Sequence, residues 1–156
     1  DVPPQFQAGL SYRPIPTLEL LLDYRYLGWT KVPQFGKPTI PNAGLNWDDQ
    51  HIVKLAATWQ VDDKWTVRGG LSYGKSPLDK KIIFTNAHFP ATVEMHATLG
   101  LSRRVGERSE IHFSCDHAFE KEMTDSGAGD LFSHLGKGTK MRMFQDFFCL
   151  GYTYRF

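Results

Sequence analysis

Seven stretches of this chain alternate apolar and polar residues with a period of two, and no other feature constrains its fold as much. Phe6, Ala8, Leu10 and Tyr12 alternate with Gln5, Gln7, Gly9, Ser11 and Arg13. The same pattern recurs over 18–26, 53–61, 65–73, 93–102, 111–119 and 147–156. Successive side chains of a strand point to opposite faces, so each stretch reads as a strand with one apolar and one mixed face. No helix of normal length is expected.

The connections between these stretches are sorted by length. Short turns are expected at 14–17, 62–64 and 106–109, and long loops at 31–48, 77–91 and 125–140. The two kinds alternate. In an up-and-down antiparallel sheet, all short turns then fall at one end and all long loops at the other. Transmembrane barrels of the bacterial outer membrane have this asymmetry, with short periplasmic turns and long extracellular loops. A soluble sandwich has no reason to sort its connections so. The chain carries no apolar run long enough for a transmembrane helix, which leaves strands that cross a membrane untouched.

Aromatic residues make up 13% of the chain, and their placement is informative. Tyr12, Trp59, Trp65, Tyr152, Tyr154 and Phe156 share the apolar face near the short-turn end; Tyr24, Tyr26 and Tyr73 share it toward the long loops. Amphipathic rings settle at headgroup level, where one part meets hydrocarbon and another meets water. Membrane lipids are therefore an expected partner. The expected fold is all-β, an antiparallel up-and-down transmembrane β-barrel of which about seven strands are present.

Composition closes other routes. A formal net charge of +1, without a basic stripe, argues against nucleic-acid binding. His112, Ser114 and Asp116 share one face of one strand and superficially resemble a catalytic set. Residues two apart on a strand are separated by about 6.6 Å, whereas a nucleophile and its base need contact at roughly 3 Å. No enzyme activity is expected. The six histidines form no close ligand pair on one face, so neither a metal nor another cofactor is expected. Cys115 and Cys149 fall on opposite faces of neighbouring strands, where a disulfide would need a bulge to re-aim one side chain.

A family resemblance rests on Trp47-Asp48-Asp49 leading into 52–60, on Asp62-Asp63-Lys64-Trp65-Thr66-Val67-Arg68-Gly69-Gly70-Leu71-Ser72-Tyr73, on Ser76-Pro77-Leu78, and on Phe89-Pro90 before the strand that carries Gly100. Residues 6–14 followed by 18–29 fit as a strand pair. These segments resemble the C-terminal portion of the FadL/TodX family of outer-membrane transporters for long-chain fatty acids and hydrophobic compounds. The stretch 62–77 is the most specific part, and the loop 125–140 matches nothing in the pattern. The resemblance implies a fourteen-stranded barrel plugged by an N-terminal hatch. Residues 1–156 would be the C-terminal half of that single barrel domain, with the hatch, the first strands and the lateral-exit strand outside the chain. The odd strand count agrees, because antiparallel closure needs an even number. Asp1-Val2-Pro3-Pro4 reads as the interior of a longer protein. The terminal Phe156, after Tyr152-Thr153-Tyr154-Arg155, resembles the assembly signal read by the barrel-assembly machinery. The implied location is the bacterial outer membrane, and the implied function is passive uptake of fatty acids or other hydrophobic molecules. Two other readings stand beside it: a structural or secretion-associated barrel scaffold without transport, and a soluble lipid-binding β protein.

Strand parity also assigns a lumen face. Its polar members are Arg13, Glu19, Asp23, Arg25, Lys54, Arg68, Glu94, His96, Glu110, His112 and Asp116. Leu21, Leu27, Trp29, Ile52 and Phe147 point inward by the same count. A greasy cargo with a charged head suits such a mixture; packing against a hatch, with charges paired across strands, is the plainer use of it. Arg68 and Lys54 are the candidates to meet a carboxylate. Pairing with Glu94 or Asp23, in a lumen charge network that includes Arg25, is the competing role for each.

Overall fold

In the structure, a computed structural model, residues 2–36, 45–129 and 133–156 are described. Seven strands form one antiparallel sheet in sequential order: β1 (Gln5–Ile15), β2 (Leu18–Leu27), β3 (Gln50–Gln60), β4 (Trp65–Gly74), β5 (Met95–Val105), β6 (Ser109–Thr124) and β7 (Lys140–Tyr154). Each has at least the length needed to cross a membrane as a tilted strand. All three short turns lie at one end of the sheet and all three long connections at the other, as the sequence implies. Among the described residues, no helix is long and apolar enough to span a membrane.

Register fixes the faces. Across the sheet, Leu10, Leu22, Leu55, Leu71 and Ala97 lie opposite one another in turn, and so do Trp59, Val67, Leu101, Phe113 and Leu150. This face stays uncovered: Leu10 is 73% exposed, Phe148 73% and Leu150 78%. An apolar surface of that extent would aggregate in water and suits hydrocarbon. The opposite face carries the row Gly9, Asp23, Lys54, Ser72 and His96.

The strand ends differ from the sequence reading in two places. The fifth strand begins at Met95 rather than 93, and β6 and β7 pair as far as Thr124 and Lys140. A bulge explains the second difference. Between Ala118 and Lys121, two residues of β6 face one residue of β7. The extra residue reverses the parity of β6, so the alternation that identified 111–119 breaks there. A second shift, between Tyr12 and Ile15, sits at Pro14, which has no N–H to give to the ladder.

The buried apolar core lies at the long-loop end, not between two sheets. Trp47, Leu78, Ile82, Ile83, Met123 and Met141 form it, with Trp29, Phe35, Leu45 and Ala91 packed alongside. Trp29, Phe35 and Trp47 meet pairwise at ring-centroid distances of 5.0–5.1 Å. Asn86 is fully buried among them. It accepts from Trp47 Nε1 at 2.7 Å and donates to the carbonyls of Leu45 and Ile82, both at 2.9 Å. The loops expected over 31–48 and 77–91 thus contain a folded cap; residues 37–44 of the first lie outside the described residues, as do 130–132 of the third.

Candidate functional site: a trough on the inner face

Small side chains leave the middle of the inner face open. Ala56, Gly70 and Thr98 follow one another across β3, β4 and β5, and Gly100 sits opposite Arg68 in the next row. Two adjoining hollows of about 410 Å³ each lie over them. Leu21, Arg68, Asp116, Phe147 and Cys149 border one; Asp23, Ile52, Lys54, His96 and Asp116 border the other.

The lining residues come from the expected parity, yet their partners differ from those expected. Lys54 stands between Asp23 and Ser72 in the cross-strand row and forms no ion pair or hydrogen bond with a described residue. Arg68 donates from Nη1 to Ser102 Oγ at 2.6 Å. Ser102, which is almost fully buried, is 2.8 Å from His112 Nδ1, and His112 Nε2 is 3.0 Å from Thr153 Oγ1. A polar chain therefore crosses four strands below the trough. Glu94 pairs with Lys121 at 3.1 Å instead of with Arg68 or Lys54, because the bulge turns Lys121 inward. Asp23 lies over Gly9, and Arg25 donates to Gln5 at 2.6 Å. Among the described residues, no ion pair or hydrogen bond joins Asp23, Arg25 and Glu94 to one another. His96 and Asp116 pair at 3.1 Å on the trough wall.

Other expected site residues are distributed as follows. Leu21, Leu27, Ile52 and Phe147 lie on inner-face rows, opposite Ala56, Gln50, Arg25 and Asp116 respectively. Trp29 leaves the wall: the strand ends at Leu27, and a single 3-10 turn, Trp29–Lys31, carries the indole into the loop core, where Nε1 donates to Gln50 at 2.8 Å. His112, Ser114 and Asp116 do not converge, since His112 bonds Ser102 and Thr153 while Asp116 bonds His96. Cys115 and Cys149 are free thiols on opposite faces, Cys115 against Phe148 and Cys149 against Ser114.

The outer face carries the aromatic residues at both ends. Tyr12, Trp59, Tyr73, Tyr152 and Tyr154 are exposed, and Phe156 is fully so. Trp65 is half-buried beneath Arg103, a residue absent from the sequence reading. At the loop end, Tyr24 bonds His51 and Tyr26 donates to Asp49, both at 2.6 Å. Burial works against the Asp49 charge, but donation from Tyr26 and Thr30, together with Lys31, outweighs it and holds the carboxyl below its ordinary pKa. At the turn end, the amides of Lys64 and Trp65 both donate to Asp62 and lower its pKa.

A continuous antiparallel wall, apolar outside, mixed inside, and with its folded connections gathered at one end, is a section of a transmembrane β-barrel. The fold is that of the FadL/TodX-type channels. The chain superposes on the Ralstonia pickettii toluene transporter TbuX with a TM-score of 0.65 and 18% identity over 99% of its length. For the Pseudomonas putida toluene transporter TodX the values are 0.67, 13% and 97%, and for a Pseudomonas aeruginosa FadL homologue 0.65, 15% and 96%. It spans about a third of each of those proteins: 34%, 34% and 35%. At such identities the likeness is one of fold. No protein-family model matches the chain, and no curated protein sequence does.

Proposed function

We propose that residues 1–156 form the C-terminal wall of one outer-membrane β-barrel domain that passes hydrophobic compounds, long-chain fatty acids among them, across the membrane without energy input. The trough carries this reading. Its floor of Ala56, Gly70, Thr98 and Gly100 leaves room for a ligand, Leu21, Ile52 and Phe147 give it apolar flanks, and Lys54 brings a cation with no ion-pair partner among the described residues. A cargo with a hydrocarbon body and an anionic head fits that combination. The named activity of TbuX and TodX, toluene transport, supports a hydrophobic cargo. An open trough, rather than a lumen of packed charge pairs, sets transport ahead of a purely structural scaffold. The hatch and lateral exit would be supplied by the rest of the barrel, and β7 would engage the assembly machinery.

The test is ligand binding by the full-length protein bearing Lys54→Ala and Arg68→Ala together. Hydrogen bonds to charged groups contribute about 1.5–3 kcal/mol, so fatty-acid affinity should fall by about ten- to a hundredfold while toluene binding stays unchanged. Unchanged fatty-acid binding would remove the carboxylate role from both residues. An absence of any hydrophobic-ligand uptake by the wild-type protein would remove the transport reading.

A further inference from the structure

The outer face has one feature that a barrel wall does not require. On the outward strand rows between the short turns and the level of Leu99, Arg103 is the only ionised side chain among the described residues; the other outward charge, Asp146, lies farther toward the loops and pairs with His117 at 2.7 Å. The Arg103 row reads Trp65, Arg103, Ile111 and Tyr152, two residues from the end of β5. The guanidinium lies 5.1 Å from the Trp65 ring centroid. Among the described residues, no ion pair joins it to a carboxylate. The nearby acids are otherwise placed: Asp62 accepts from the Lys64 and Trp65 amides, and Glu110 lies on the inner face within 3.9 Å of Arg155. Arg104, the next residue, also faces inward, opposite Glu110.

An unpaired cation at this position is costly unless something anionic reaches it. The long stem allows the head to sit at the interface, and the Trp65 ring holds it there. Directly along the outward side of β4 comes an apolar groove of about 490 Å³, lined by Ile15, Leu18, Ala57, Trp59, Val67 and Gly69. Gly69 and Ala57 form its floor. A Cβ on Gly69 would meet nothing closer than Leu99 Cδ2 at 3.7 Å, so the absent side chain leaves open space and not a backbone requirement. The cation and the groove thus follow one another in the direction from headgroup to hydrocarbon.

We propose that Arg103, Trp65 and this groove seat one phospholipid of the short-turn leaflet, with its phosphate on the guanidinium and an acyl chain over Gly69 and Ala57. The phosphate accepts two guanidinium hydrogen bonds, and the indole packs against the glycerol region. This inference rests on the membrane-barrel reading but not on transport.

The experiment uses the full-length protein, reconstituted in phosphatidylcholine vesicles containing equal amounts of phosphatidylglycerol and diacylglycerol and then extracted gently for native mass spectrometry. Wild-type protein should retain phosphatidylglycerol over diacylglycerol, which has the chains without the phosphate. Arg103→Gln should reduce that retention about fivefold, as expected for one cation at a membrane surface. Arg103→Lys should recover part of it, and Arg104→Gln should change nothing. Gly69→Leu, which fills the groove, should lower retention while Arg103 remains. Equal retention by wild type and Arg103→Gln, or no preference for phosphatidylglycerol over diacylglycerol, overturns the proposal. Flotation of the vesicles separates the two failures. A protein that does not float with them refutes the membrane reading and the lipid seat with it; a protein that floats but shows no Arg103 dependence refutes the seat alone.

Discussion

Replacing Asn86 with alanine tests how the loop cap is held. The side chain is fully buried and bridges three points: the Trp47 indole, the Leu45 carbonyl and the Ile82 carbonyl. The Ile82 carbonyl keeps a partner, since it also accepts from the Asn86 backbone at 3.1 Å. Two groups are therefore stranded, the buried Trp47 N–H and the half-buried Leu45 C=O. Each unsatisfied group costs about 1–3 kcal/mol, so the cap should lose about 3 kcal/mol of local stability. Asn86→Asp should be worse, because a carboxylate would face the two carbonyls it replaces donors to. The readout is hydrogen exchange at amides bonded within the cap, such as Trp47 to Phe35 and Phe89 to Asn86. Local opening should speed by about a hundredfold, since each 1.4 kcal/mol is tenfold. In a Trp47→Phe background, which has no indole donor, the same substitution should cost measurably less. Acceleration below threefold in the wild-type background would refute the claim that Asn86 ties the cap together.

Two further substitutions test other parts of the account. Gly100→Phe places a ring in the trough, and its Cβ would meet only ordinary contacts, Arg68 Cβ at 3.5 Å being the nearest; the full-length protein should still insert into vesicles but lose most hydrophobic-ligand uptake. Asp62 has a pKa below the ordinary 3.8 in the folded protein, so its contribution is complete above 3.8 and is lost only as pH falls through the lowered value. Protection of the Lys64 and Trp65 amides should therefore persist into acid in the wild type, and Asp62→Ala should abolish that pH dependence.

The wall was legible in the sequence because one side faces hydrocarbon along whole strands. That demand writes a period of two through β1 to β4, where Leu22, Leu55 and Leu71 align across three strands. The pattern fails where the demand fails. Beyond Ala118 the strands rise past the apolar band, the bulge reverses parity, and Met123 and Met141 turn to the loop core. The cap was not legible, because loop residues that pack by irregular backbone have no period to read. Trp47 and Asn86 are 39 residues apart and meet only through folding. The packing of Trp29 was not legible for the same reason: it lies past the end of its strand, where parity no longer says what a side chain meets. The inner-face rows followed from parity, but their pairing did not. Lys121 enters the lumen only through the bulge, and it takes Glu94 from the partners that simple alternation would give it. Arg103 lies on the outward row by ordinary counting, two residues beyond Leu101, and its meaning depends on the Trp65 contact that only the fold supplies.

The central claim is a wall with hydrocarbon on one side and an enclosed lumen on the other. Nitroxide scanning along β3 of the full-length protein in a bilayer tests it most directly, with a spin label placed in turn at 51 through 59 and its collisions measured against oxygen and a water-soluble nickel complex. Oxygen contact should peak at 51, 53, 55, 57 and 59, the outward row that holds Val53, Leu55 and Trp59, and nickel contact relative to oxygen should peak at 52, 54, 56 and 58. A profile without a period of two, or one with the two phases exchanged, would contradict the account.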